Sequence, residues 1–163
     1  MKLWYKLSQA GKRFIYVDES GFAPDAWRTH GWAQRGQRVY GLCSGERRPR
    51  TSLIAALVDK KLKAPMLFEG TCNAAIFNAW LEQELCPLLT NNDVIVLDNA
   101  TFHKSTKTHD LIKTTGAMLL FLPPYSPDIM PIEKTFGTIK RYRKYNSHLS
   151  IDEVVNMYQK LLK

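Results

Sequence analysis

The sequence predicts an α/β protein built on a mixed five-stranded sheet flanked by helices. Three observations carry that prediction. Val94 to Leu97 and Met118 to Leu122 are short, continuous apolar runs of the kind buried on both faces of a sheet. Segments with helical spacing lie between and after them, from about Ser105 to Thr115, Pro131 to Tyr145 and Ile151 to Leu162. Upstream, strand-like stretches punctuated by turn residues suggest an antiparallel meander. The order reads β-β-β-α-β-α-β-α-α.

Each element has a local reason. Arg13 to Asp18 reads as the first strand, ended by Gly21-Phe22-Ala23-Pro24. Glycines at 31 and 36 bracket a turn that leads to a second strand near Arg38 to Cys43. Ser44 to Arg50 is a charged hairpin loop, and Thr51 to Val58 is the third strand. After a short extended piece, Pro65 to Phe68, Asn73 is placed to cap the first long helix. Its face carries Ile76, Phe77, Trp80, Leu81, Glu84 and Leu88. Asn91-Asn92-Asp93 turns the chain into the first buried strand. Gly116 stops the second helix, and Pro131 opens the third.

Composition narrows the classes. A chain of 163 residues fits one domain, 1–163, and 45% hydrophobic with 23% charged residues is the balance of a globular protein. No apolar stretch reaches bilayer length, and Met1 to Lys6 is too short and mixed for a signal peptide, so a cytoplasmic protein with no membrane partner is expected. A net charge of +8 favours polyanions such as nucleic acid. Cys43, Cys72 and Cys86 form neither a disulfide framework nor a zinc motif, and are expected as reduced, partly buried fillers.

The chemistry-bearing residues are acids at element ends. Asp18 closes the first strand, Asp98 closes Val94 to Leu97, and Glu133 sits in the first turn of the helix after the last strand. Singly, each has a structural reading: a turn cap, an Asx-turn residue, or a first-turn acid favoured by the helix dipole. Together they read as carboxylates converging on one crevice, an arrangement that needs cations. Mg²⁺ suits such hard oxygen donors, and two ions would serve phosphodiester chemistry. Asp59, Asp93, Asp110 and Asp152 read as surface acids. On the last long helix Ile132, Phe136 and Ile139 share the face expected on the sheet, while Glu133, Gly137, Lys140 and Lys144 share another. That second face is either a solvated lysine stripe or a track for a DNA backbone. His103 and His109 are too isolated for zinc; His103 reads as a phosphate contact or as a satisfied loop histidine. Trp27, Trp32 and Tyr40 interleave with Arg28, Arg35 and Arg38, and strand packing is the favoured reading of the aromatics. No P-loop or nucleophile-elbow motif occurs.

Four blocks in order then resemble a known family. They are Asp18-Glu19-Ser20-Gly21-Phe22; Gly31-Trp32-Ala33 with Gly36; Leu97-Asp98-Asn99-Ala100 with Phe102-His103-Lys104; and Leu122-Pro123-Pro124-Tyr125-Ser126-Pro127 with Pro131-Ile132-Glu133. They look like the mariner-type DDE transposases of the bacterial insertion-sequence branch, over about residues 13 to 146. The 34 residues between Asp98 and Glu133 match the family as well. The resemblance implies a ribonuclease H-like fold, two catalytic Mg²⁺ ions with Mn²⁺ as substitute, and Asp18, Asp98 and Glu133 as the metal-binding catalytic triad. It implies hydrolysis at transposon ends followed by strand transfer into target DNA, a homodimer, and a nucleoid setting. Position adds Lys104, Lys134, Lys140, Arg141 and Lys144 as phosphate contacts.

Two departures qualify the expectation. Met130 stands where the family usually has a capping Asn, so the helix carrying Glu133 is expected to lack its side-chain cap, with Asp128 or Ser126 as substitutes. The family's N-terminal helix-turn-helix region has no counterpart here, so the resemblance is to the catalytic domain alone. DNA-end recognition would then fall to a separate helix-turn-helix subunit or to full-length transposase. Two other readings stay open: an inactive remnant that binds DNA or dimerises to regulate transposition, and a ribonuclease H-like nuclease of another pathway.

Overall fold

A computed structural model describes residues 2–22, 32–38, 40, 50–123 and 130–161. Among these, five strands form one sheet: β1 (Arg13–Phe22), β2 (Thr51–Val58), β3 (Lys61–Glu69), β4 (Asp93–Leu97) and β5 (Met118–Phe121). Their spatial order is β3-β2-β1-β4-β5. β1, β2 and β3 pair antiparallel, while β1, β4 and β5 run parallel. This is the expected mixed sheet, with a meander of different membership. Arg38 and Tyr40 lie outside any strand, and the rest of the predicted 38–43 strand and most of the 44–50 loop fall outside the described residues. The third meander strand is β3, which extends the predicted 65–68 piece. A two-residue turn at Asp59 and Lys60, with φ of 48° and 65°, joins it to β2 as a type I′ hairpin would. Pro65 is tolerated because β3 is an edge strand, and the register shifts near it between Ile54 and Ala56.

Helices cover both faces. On one side α4 (Pro131–Tyr145) and α5 (Ile151–Leu161) pack Ile132, Phe136, Ile139, Val154 and Val155 against Leu53, Ala55, Val94 and Val96. The short N-terminal helix α1 (Lys2–Gln9), which has no cap motif to announce it, joins that layer. Its Trp4 stacks on Phe14 with ring centroids 4.5 Å apart. On the other side α2 (Ala74–Trp80) and α3 (Thr106–Thr114) pack Phe77, Trp80 and Ile112 against Ile15, Val17, Ile95 and Leu97. Asn73 caps α2 as expected, its side chain accepting from the Ala75 and Ile76 amides. Beyond Trp80 the helix widens to a π turn over Leu81–Leu85. The wider turn moves the buried position from Glu84 to Leu85 and leaves Leu88 half exposed, which corrects the predicted face.

Three further expectations change. Asp93 is not a surface acid: fully buried, it accepts from Arg13 Nε at 2.6 Å and Nη2 at 2.9 Å, and from Thr90. Trp32 and Tyr40 are exposed rather than packed in strands, and Trp27 lies outside the described residues. Cys72 and Cys86 are partly buried free thiols, as expected, and burial raises the pKa of both; Cys43 lies outside the described residues. No helix among the described residues is long and apolar enough to cross a membrane.

Candidate active site

The parallel pairing of β1 with β4 sets the site. Tyr16 lies opposite Val96, and Asp18 and Asp98 each follow two residues later. Side chains alternate along a strand, so both acids leave the sheet on the Tyr16 and Val96 side, the side covered by α4. Glu133 lies in the first turn of α4. The three acids meet electrostatically. Burial pushes the Asp18 carboxyl up to about 7, and the charges of Glu19, Asp98 and Glu133 all add to the rise. The Glu19 amide, donating to Asp18 Oδ1 at 2.8 Å, acts in the opposite direction.

Asp98 is held from behind. Its Oδ1 accepts from the Ala100 amide at 2.9 Å and from His103 Nδ1 at 2.7 Å. His103 Nε2 lies 3.0 Å from Glu19 Oε1, so one imidazole spans acids from two strands. The ring is fully buried, against Phe77 and Phe102 with centroids 4.4 and 4.3 Å away. Burial alone would lower its pKa. Hydrogen bonds to Asp98 and Glu19, and the charges of both, outweigh that and raise it to about 9. The resulting imidazolium donates to both carboxylates, and its bond to Asp98 is the main cause holding the Asp98 pKa below the usual carboxylate value. His103 is therefore the satisfied histidine of the two readings, too buried to meet a phosphate.

Asp18 does not close β1, which continues to Phe22 paired with β2, but it lies beside Asp98 just past the end of β4. Adjacent hard oxygen donors of this kind fit a divalent cation of the Mg²⁺ type, which takes one or two carboxylates and completes its shell with water and phosphate. The geometry does not close a cage: among the described residues no three His, Cys, Asp or Glu side chains are gathered tightly enough to enclose an ion. The fit thus rests on Asp18, a partly buried acid whose ionised form has like charges for neighbours.

The start of α4 is built as Met130 dictates. Met130 has no side-chain cap bond, and its thioether is buried in the core with Leu122 and Ile132. Pro131 at the first helical position removes one amide that a cap would otherwise serve, and the Glu133 amide donates to the Met130 carbonyl at 3.1 Å. Apolar burial replaces the cap in fixing this helix end; Asp128 and Ser126 lie outside the described residues.

The predicted cations divide by position. Lys104 is exposed, and its charge helps lower the Asp98 pKa. Lys140 Nζ lies 5.8 Å from the centre of the Phe22 ring, further along β1 than Asp18. By helix geometry Lys140 and Lys144 fall within about 20° of Glu133, whereas Lys134 and Arg141 stand roughly 80–100° away. Sequence reasoning missed Arg143, whose guanidinium lies 6.0 Å from the same Phe22 ring. It also missed Glu19, for which adjacency to Asp18 was the only signal.

Comparison with known proteins identifies the family and the fold. The family model described as DDE superfamily endonuclease matches residues 13–155. A search of curated proteins finds no match. Among solved structures, the chain is similar to the Mos1 transposase paired-end complex with left transposon end (TM-score 0.64, 19% identity, 86% of this chain and 46% of that one). It is also similar to the Mos1 transposase catalytic domain with Raltegravir and Mg (TM-score 0.58, 17% identity, 97% and 77%). A third is the HTLV-2 integrase catalytic core domain in complex with magnesium (TM-score 0.56, 13% identity, 91% and 83%). These likenesses establish the ribonuclease H-like fold. The chain spans about half the length of the Mos1 transposase chains in the first matches.

Proposed function

The chain belongs to the DDE superfamily endonucleases, and on that premise we propose that it is the catalytic domain of a DNA transposase. In this reading Asp18, Asp98 and Glu133 bind divalent metal, Mg²⁺ with Mn²⁺ as substitute, and cut phosphodiesters at transposon ends before strand transfer into target DNA. One observation carries it: the parallel register of β1 and β4 sets Asp18 and Asp98 side by side on the face covered by α4, whose first turn holds Glu133.

When bound, two metal ions would activate the attacking oxygen and stabilise the leaving one. The chain's own residues prepare the rest. Asp18 gives up its proton as compensating charge arrives. Asp98 is held ionised by His103 and the Ala100 amide. Glu133, at the positive end of α4, would complete the second position. Lys104, Lys140 and Lys144 would run the DNA backbone past these acids, with Lys134 and Arg141 flanking. DNA is thus the partner in this reading, with a homodimer synapsing two ends. A helix-turn-helix element, on a separate subunit or on full-length transposase, would select the end sequence. A bacterial nucleoid setting accompanies that reading.

A second reading, an inactive remnant that regulates transposition, is favoured by the absence of a closed ligand cage among the described residues. One assay separates the two: cleavage and strand transfer on short duplexes with Mg²⁺ or Mn²⁺, beside RNA–DNA hybrids, for the wild type and Asp98→Ala. The transposase reading expects metal-dependent cutting of DNA that falls by at least about 100-fold in the variant. Activity that survives Asp98→Ala refutes the triad; no activity with either metal favours the remnant.

A further inference from the structure

Next to the three acids lies a buried polar assembly that their roles do not use. His103 is fully buried, and both its nitrogens are engaged, one by Asp98 and one by Glu19. Glu19 follows Asp18 on β1, so alternation sends it to the opposite side of the sheet, where Ile15, Val17 and Phe77 pack. His103 enters from that side, on the single turn of 3₁₀ helix Thr101–Lys104, and reaches around the end of β4 to Asp98. The aromatic rings of Phe77 and Phe102 flank the imidazole. Cys72 adds a weak contact to Glu19, its Sγ lying 3.9 Å from Oε1.

The placement has a consequence for Asp98. Both of its protein hydrogen bonds, from Ala100 and from His103, fall on Oδ1. Oδ2 accepts none among the described residues, and the Asp98 side chain is 48% exposed, so the second oxygen is accessible to a cation. A carboxylate pinned through one oxygen has lost the rotation that would otherwise be spent on binding a cation.

We propose that His103 and Glu19 are positioning residues: Glu19 orients the imidazole, and the imidazole fixes Asp98 so that its free oxygen presents to the metal. The inference rests on the metal-triad reading above. Glu19 is not a ligand in it, although it is the acid adjoining Asp18. Its carboxylate faces away and is spent on His103.

Paired substitutions isolate the contact. The amide of an asparagine at 103 can take the place of Nδ1 and still donate to Asp98, whereas that of a glutamine takes the place of Nε2 and reaches toward Glu19. Both remove the same charge, so the difference between them reads geometry alone. Mn²⁺ affinity, followed by electron paramagnetic resonance of the free ion, should fall about 10- to 100-fold in His103→Gln relative to His103→Asn, the range expected when a ligand loses its supporting hydrogen bond. A role confined to packing would alter thermal stability and leave the two affinities equal; equal affinities overturn the proposal. Should either variant fail to fold, the wild type decides. In ¹⁵N-histidine-labelled protein, a hydrogen-bonded Nδ1–H proton resonance of His103 should persist through a Mg²⁺ titration, and its loss on adding Mg²⁺ overturns the proposal. Failure of the underlying reading looks different. The wild type would then bind no Mn²⁺, or Asp98→Asn would bind it as tightly as the wild type, and the positioning role falls with it.

Discussion

Asn in place of Asp18 should make the metal-free protein more stable at alkaline pH. In the folded state the Asp18 carboxyl is raised from 3.8 to about 7, chiefly by burial. A raised acid binds its proton more tightly folded than unfolded. The penalty for ionising it is therefore absent below about pH 4, grows as pH rises, and is complete above about pH 7. Three pH units correspond to about 4 kcal/mol, a large share of the stability of an ordinary domain. His103 moves stability in the same direction over a higher window. Its pKa, raised from 6.5 to about 9, supplies stability that is whole below pH 6.5 and lost as pH climbs through 9. Wild-type stability in EDTA should accordingly decline from pH 4 to pH 9. Asp18→Asn should flatten the lower part of that decline, keep the upper part, and exceed the wild type by about 2–4 kcal/mol at pH 8. Urea titrations at pH 5 and pH 8, with m-values compared, measure this directly. Mg²⁺ should raise the stability of the wild type at pH 8 and leave the variant unchanged. If the variant is no more stable than the wild type at pH 8 without metal, the carboxyl is not strained by its surroundings, and the electrostatic case for convergence fails.

Two further outcomes follow from the helix that carries Glu133. Met130→Asn restores the family's usual residue, but it exchanges a buried thioether for an amide. A recovered cap contributes about 1 kcal/mol against the roughly 2–5 lost on truncating a core methionine, so a net loss of about 1–4 kcal/mol in urea unfolding is expected. For DNA binding, Lys140→Ala should reduce the slope of log affinity against log salt by about 0.9, and Arg141→Ala by much less, since only Lys140 shares the Glu133 face. Fluorescence anisotropy on a short duplex across a salt series distinguishes them, and equal slopes would remove the helix face from the binding track.

What the residues announced, and what they concealed, divides along physical lines. β4, β5 and α4 were legible because a continuous apolar run and a proline-led helix are local signals, and the structure follows them closely. β3 was mostly hidden, since Pro65 and the left-handed Ala64 before it interrupt the strand after only one Lys-Leu-Lys alternation; an edge position is what permits the proline. The face of α2 was misread past Trp80 because a π turn changes helical phase without a distinctive residue. At the site, Asp98 and Glu133 could be singled out because each stands at an element end, and Asp18 because turn residues follow it, although the strand it was expected to close runs on to Phe22. Glu19 and His103 could not be joined, because their contact links β1 to the 3₁₀ turn Thr101–Lys104, far apart in the chain, and leaves no spacing to recognise. Asp93 was misplaced for the same reason, its partner Arg13 being a neighbour only once β1 and β4 run side by side.

That last pairing also acts as a ruler. Arg13 opposes Asp93 where β1 and β4 begin, clamped by a buried two-pronged ion pair, and both strands then run the same number of residues before Asp18 and Asp98. Adding or deleting one residue in either stretch would carry an acid about 3.3 Å along the sheet and turn it to the wrong face. Point changes in these two segments can be absorbed one at a time. A matched insertion in both stretches would keep the two acids level but turn both away from α4, which leaves this part of the chain open to drift in letters and closed to drift in count.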